Sequence, residues 1–140
     1  MGHINLGRVI AGGLLAGLII NISEFVLNAV VLAQATEAAM RALNLPPIDA
    51  RMIVAFVLLG FALGIVTVWL YAAIRPRFGP GVQTAVCAAL TVWFLAYAYP
   101  SAFMAVIHVF PRRMIAIGTV WGLPEIVFAG IAGAWAYKES

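Results

Sequence analysis

Four apolar runs, at about 6–33, 52–74, 82–110 and 114–137, occupy most of this chain, with short charged or proline-rich stretches between them. Each exceeds the roughly 20 residues that an α-helix needs to cross a hydrocarbon core of about 30 Å. Lipid offers no water to backbone N–H and C=O groups, so a helix is the shape each run must take. Composition agrees, since 65% of the 140 residues are hydrophobic and 9% are charged, with a mean hydropathy of +1.08. Soluble domains keep about a quarter of their residues charged. The expected fold class is all-α: an integral membrane protein, one four-helix transmembrane bundle spanning residues 1–140 as a single domain.

The formal charge of +3 comes from eight Lys and Arg, which stand mainly at the ends of the runs and anchor them to headgroups. No basic cluster points to nucleic acid. Cys87 is the single cysteine and lies within an apolar run, so neither an internal disulfide nor a thiolate metal site is expected. Ala33, Gln34 and Ala35 form a small-x-small pattern like a signal-peptide cleavage site. The apolar segment before them, however, is about twice a typical signal core of roughly 7 to 15 residues, and it carries Asn21, Glu24 and Asn28. An uncleaved first helix is expected.

As a helix the first run is roughly 42 Å long, so it must tilt or project into the headgroups. After it, about 35–43 reads as a short interfacial helix, with Glu37 and Arg41 four residues apart. Asn44, Leu45, Pro46 and Pro47 stop it. The second run is bracketed by Arg51 and Arg75, and the basic turn Arg75–Gly81 leads into the third. Pro100 removes a backbone donor from the third run. The run is either one kinked span or a span ending near Tyr99 followed by a short helix over 101–110; the kinked span is the preferred reading. Arg and Lys divide four against four between the two sides, which leaves orientation unspecified by the positive-inside rule.

Two polar and small-residue stripes carry the functional argument. In the first run Gly13, Gly17, Asn21, Glu24 and Asn28 recur at helical spacing and share a face. In the fourth, Gly118, Gly122, Glu125, Ala129 and Gly133 do the same, with Pro124 directly before the acid. First and fourth spans of a four-span protein run antiparallel, so the stripes can face each other with both acids at similar depth. A carboxylate at the centre of a span costs roughly 2.5 to 3.5 kcal/mol on insertion scales, so Glu24 and Glu125 need a partner or a purpose. Two carboxyls sharing a site do not both ionise readily. Such a pair is expected to hold a proton and to exchange it for a cation, with Asn21 and Asn28 as supporting ligands and the carbonyl of Val120, freed by Pro124, as a further one.

Three glycine pairs, Gly13 with Gly17, Gly60 with Gly64, and Gly118 with Gly122, read as close-packing seams, because small residues let helix backbones approach in lipid. They point to a compact bundle and to a homo-oligomer or a larger membrane complex. His108 is a lone histidine near an interface, and no Glu-x-x-His spacing accompanies it; no metal and no cofactor are expected. Trp93, Tyr97 and Tyr99 read as aromatics packed on glycine-rich helices or as the wall of a pocket. No nucleophile with a base and no phosphate loop occurs, so an enzyme is not expected.

The stretch from Gly7 through Leu14, with Asn21, Glu24, Phe25 and Asn28, resembles the first helix of uncharacterised small bacterial four-helix membrane proteins, which implies a multi-pass protein of the bacterial inner membrane. In architecture the chain is also similar to small multidrug-resistance transporters, with four helices, a glutamate in the first and an aromatic third. It differs from them in Ile20, where they carry a small residue, and in its second acid, Glu125. The similarity implies a proton-coupled mechanism. The expected function is transport-type handling of protons or small cations through Glu24 and Glu125. The competing class is a non-catalytic accessory or scaffold subunit whose outer faces bind lipid, pigment or partner helices.

Overall fold

In a computed structural model, which describes residues 3–137, the chain is helical with no strand among those residues. The elements are α1 (Leu6–Val26), α2 (Ala33–Ala42), α3 (Ala50–Phe78), α4 (Val82–Trp93), α5 (Tyr99–Val106) and α6 (Arg112–Ala136), with π-helical turns at Leu27–Val31 and Phe94–Ala98. Four stretches are long and apolar enough to cross a membrane: Leu6–Val31, Ala50–Phe78, Val82–Val106 and Arg112–Ala136. The protein is a membrane-embedded four-helix bundle.

Local chemistry sets the helix limits. Asn5 caps α1 by accepting from the Arg8 N–H at 3.1 Å, and Asp49 caps α3 by accepting from Met52 at 3.0 Å, each satisfying one orphan donor. α3 runs past Arg75 and through Pro76, because one missing N–H removes only one rung of the ladder. It ends at Gly79, whose φ of +84° is open to glycine. The third span continues through Pro100, and the irregularity lies just upstream: the Tyr99 N–H reaches back five residues to the Phe94 carbonyl. The wider turn takes up the distortion before the residue that has no N–H. The span stops at Val106, short of the expected 110, where the chain turns through His108 at φ +54°.

α1 lies against α3 and α6, and α4 lies against α6 and α3. The α1–α3 seam is the glycine seam expected from sequence. A Cβ on Gly13 would stand 2.5 Å from the Ile65 Cα, and one on Gly17 would stand 2.7 Å from the Phe61 Cα. On the other side of α1, a Cβ on Gly12 would stand 2.6 Å from the Gly133 carbonyl oxygen of antiparallel α6. The core between the four helices is built from small and branched residues, among them Val9, Ala16, Val68, Ala72, Ala88, Ile126 and Ala129. Tyr71 and Tyr137 close this end of the bundle, with rings edge to face at 6.1 Å. Their hydroxyls accept from the Gly81 and Asn5 N–H groups, each at 3.2 Å, and the Arg75 guanidinium sits 5.8 Å from the centre of the Tyr137 ring.

Gly118 takes no part in helix packing, since a Cβ there would meet nothing within 4 Å. Gly122 is closely packed, but against a side chain: a Cβ would collide with the Tyr97 ring. The pair expected as a third glycine seam is therefore one open position and one slot for an aromatic.

Candidate functional site

Glu24 in the last turn of α1 and Glu125 in α6 approach each other where these helices cross. Glu125 is 4% exposed. One of its oxygens, Oε2, accepts from the Tyr97 hydroxyl at 2.6 Å. The other, Oε1, is buried and has no partner in hydrogen-bonding geometry among the described residues. What approaches the Glu125 carboxyl from α1 is the second acid, with the Ser23 hydroxyl beside it.

Glu24 is half-buried. Its Oε2 accepts from the Asn28 Nδ2 at 3.1 Å, and the same amide donates to the Glu24 carbonyl at 2.9 Å. Asn28 belongs to the first π-helical turn, as Tyr97 belongs to the second. On α6, Pro124 interrupts the ladder one residue before Glu125. Two of the residues that hold the acids, Asn28 and Tyr97, thus lie in π-helical turns, which often mark functional sites.

Aromatic side chains tie the helices together around the acids. The Trp121 Nε1 donates to the Ser23 Oγ at 2.9 Å, joining α6 to α1. The Trp93 Nε1 donates to the Thr119 carbonyl at 2.9 Å, joining α4 to α6. Gly122 makes room for the Tyr97 ring, three residues before the carboxyl that the hydroxyl reaches. Tyr97, Trp121 and Ser23 are site residues that spacing alone does not single out, whereas Gly122, which spacing places on the Glu125 stripe, serves as the slot for the Tyr97 ring. The one available signal for Tyr97 is general, because a tyrosine inside an apolar run needs a partner for its hydroxyl.

Two expected ligands lie elsewhere. Asn21 turns to α3, where its Nδ2 donates to the Val57 carbonyl at 3.2 Å and its side chain lies against Gly60. Three residues advance a helix by 300°, so Asn21 sits about 60° from Glu24; that offset is enough to face α3 where Glu24 faces α6. Val120, whose carbonyl Pro124 deprives of its helical donor, is 68% exposed. It stands about 140° around the helix from Glu125, so that carbonyl does not join the acids. His108 is exposed in the turn before α6, and among the described residues no group of three or more His, Cys, Asp or Glu side chains gathers.

Two facing carboxyls are complementary when one is protonated, because the acid then donates where the other accepts. An unpartnered, buried oxygen beside a second carboxyl is therefore satisfied by a proton between the two, or by a small cation bridging them. No family model, no curated protein and no solved structure matches this chain. The capabilities of the site rest on its own chemistry.

Proposed function

We propose that this protein handles protons or small cations in transport across a membrane, with Glu24 and Glu125 as the exchanging pair and Tyr97 and Asn28 holding them. The observation that carries this reading is the convergence of two intramembrane acids from different helices with one buried oxygen left unpartnered. Their unequal burial supports it: Glu24 is half-buried and Glu125 nearly enclosed, so a proton or ion arriving at the outer acid has a second carboxyl to pass to. On the resemblance of the first span, the bacterial inner membrane is the proposed location.

One observation favours the accessory-subunit reading instead. Each acid is held by a side-chain hydrogen-bond donor, Asn28 for Glu24 and Tyr97 for Glu125, and a purely structural link between helices needs no more. Proton release from the detergent-purified protein on addition of candidate cations separates the two. Release by the wild type that is lost in the Glu24→Gln, Glu125→Gln double variant supports exchange at this pair. No release from folded protein, with the double variant equally stable, rejects it in favour of a structural link.

A further inference from the structure

We propose that the groove between α2 and the start of α6 holds a phospholipid, its acyl chain along the alanine face of α2 and its anionic headgroup at Arg113. This groove is separate from the carboxyl pair. α2 leaves the first span at Leu32, whose φ and ψ of −107° and 11° are not helical. One face of it is polar and exposed, with Glu37 accepting from Arg41 at 2.8 Å. The other presents Ala35, Ala38 and Ala42 towards Val109 and Ile117. This is the pattern of a helix lying in the interface with its apolar side inward.

Alanine is too short to fill the space between these elements, which stays open on one side. A cavity of about 440 Å³ remains, within the roughly 300 to 1,000 Å³ range of small-molecule sites. Water needs two to four polar partners to reside in a cavity, and every lining side chain but that of Arg113 is apolar. An acyl chain is the apolar filler that a bilayer supplies in excess. Charge then selects the headgroup. Arg113 is the one charged residue in the lining, and with Arg112 it stands in the first turn of α6, where cations oppose the helix dipole and an anion relieves them. The acids at this end are engaged elsewhere, Glu37 with Arg41 and Asp49 with the Met52 N–H. A lipid phosphate is the complement that remains.

The test is native mass spectrometry of the detergent-purified protein titrated with phosphatidylglycerol or with phosphatidylethanolamine of the same acyl chains. The anionic lipid is expected to bind about five-fold more tightly, the preference that one arginine near a membrane surface supplies. Arg113→Gln should remove the preference and keep binding of both lipids; Ala38→Phe should remove binding. If Ala38→Phe fails to fold, Ala42→Phe, one turn further along α2, is read in its place. Equal affinity of the wild type for both lipids, a preference that survives Arg113→Gln, or lipid bound as well by the phenylalanine variant would each overturn the proposal. Displacement of the anionic lipid by inorganic phosphate alone would also overturn it, because the anion and not the chain would then be the ligand.

Discussion

Followed along α1, the bundle changes character a few residues past its midpoint. From Val9 to Ile20 the helix buries Val9, Gly12, Gly13, Ala16, Gly17 and Ile20 against α3 and α6. Beyond Glu24, Phe25, Val26, Val30 and Val31 face outward, and from Phe25 to Leu32 only Leu27 and Leu32 are buried. α3 shows the same division in reverse order, because it runs the other way: Gly60, Gly64, Thr67, Val68, Tyr71 and Ala72 are buried, whereas nothing before Gly60 is. α6 buries residues from Gly122 onward and none in Arg112–Trp121. One half is a closed knot of glycine and alanine contacts and the other is splayed, with the two acids at the boundary. The difference teaches what small residues do in lipid. Where they recur, backbones touch and little can enter; where they give way to large apolar residues, the helices part and polar groups at the junction become reachable.

The sharpest way to break this contrast is to enlarge a residue in the closed half. In Gly64→Leu the new Cβ would stand 2.5 Å from the Gly13 carbonyl oxygen and against the Gly17 nitrogen, which are backbone atoms that cannot swing away. We expect a loss of at least about 3 kcal/mol, the upper end for overpacking, measured by unfolding in mixed micelles with increasing dodecyl sulfate. Retained wild-type stability would mean that the seam is not closed.

At the boundary the expected loss is smaller. Tyr97→Phe leaves Glu125 Oε2 without its donor, and a buried acceptor stripped of its partner loses about 1 to 3 kcal/mol. The loss should shrink when Glu125 is already Gln, so a double-mutant cycle isolates the bond. A cycle showing no coupling between positions 97 and 125 would place the tyrosine hydroxyl elsewhere.

The closed half is also the half that spacing can read. Gly13, Gly17, Gly60 and Gly64 lie on uninterrupted α-helix, where counting by 3.6 residues keeps its phase, and the four spans can be read from length and hydropathy alone. At the boundary that count fails for physical reasons. Each π-helical turn holds one extra residue and so rotates the helix beyond it, as at Tyr97, although Asn28 in the other π-helical turn still reaches Glu24 as its four-residue spacing suggests. Gly118 shares its spacing with the Glu125 stripe but lies in the part of α6 that buries no residue. That Tyr97 donates to Glu125 depends on rotations in two helices and on the space left by Gly122, and no single stretch of sequence contains that information.

Asn21 tests the edge of the closed half. It holds α1 to α3 through the Val57 carbonyl, at the last close contact before the helices part. Hydrogen bonds between membrane helices average about 0.6 kcal/mol, so Asn21→Ala should destabilise by about that amount, measured in the same mixed micelles. Cation-induced proton release, where the wild type shows it, should be unaffected, because Asn21 faces away from the acids. Release abolished by Asn21→Ala would return this residue to the site as a ligand.

The smallest effect is expected where sequence spacing and structure differ most plainly. Gly118 has the same four-residue glycine spacing as the closed seam, and if it packed as Gly13 and Gly64 do, a leucine there would be as damaging as one at Gly64. In the structure an added Cβ meets nothing within 4 Å, because this part of α6 belongs to the splayed half. Gly118→Leu should therefore lower stability by no more than about 0.5 kcal/mol, as substitutions away from packed features do. The exchange of glycine for a better helix former works in its favour by about 1 kcal/mol at most. Measured beside Gly64→Leu in the same micelles, the two variants ask one question of two glycines. A large loss at Gly118 would mean that the open half closes, on itself or against another protomer, and that the contrast between the halves does not survive in the membrane.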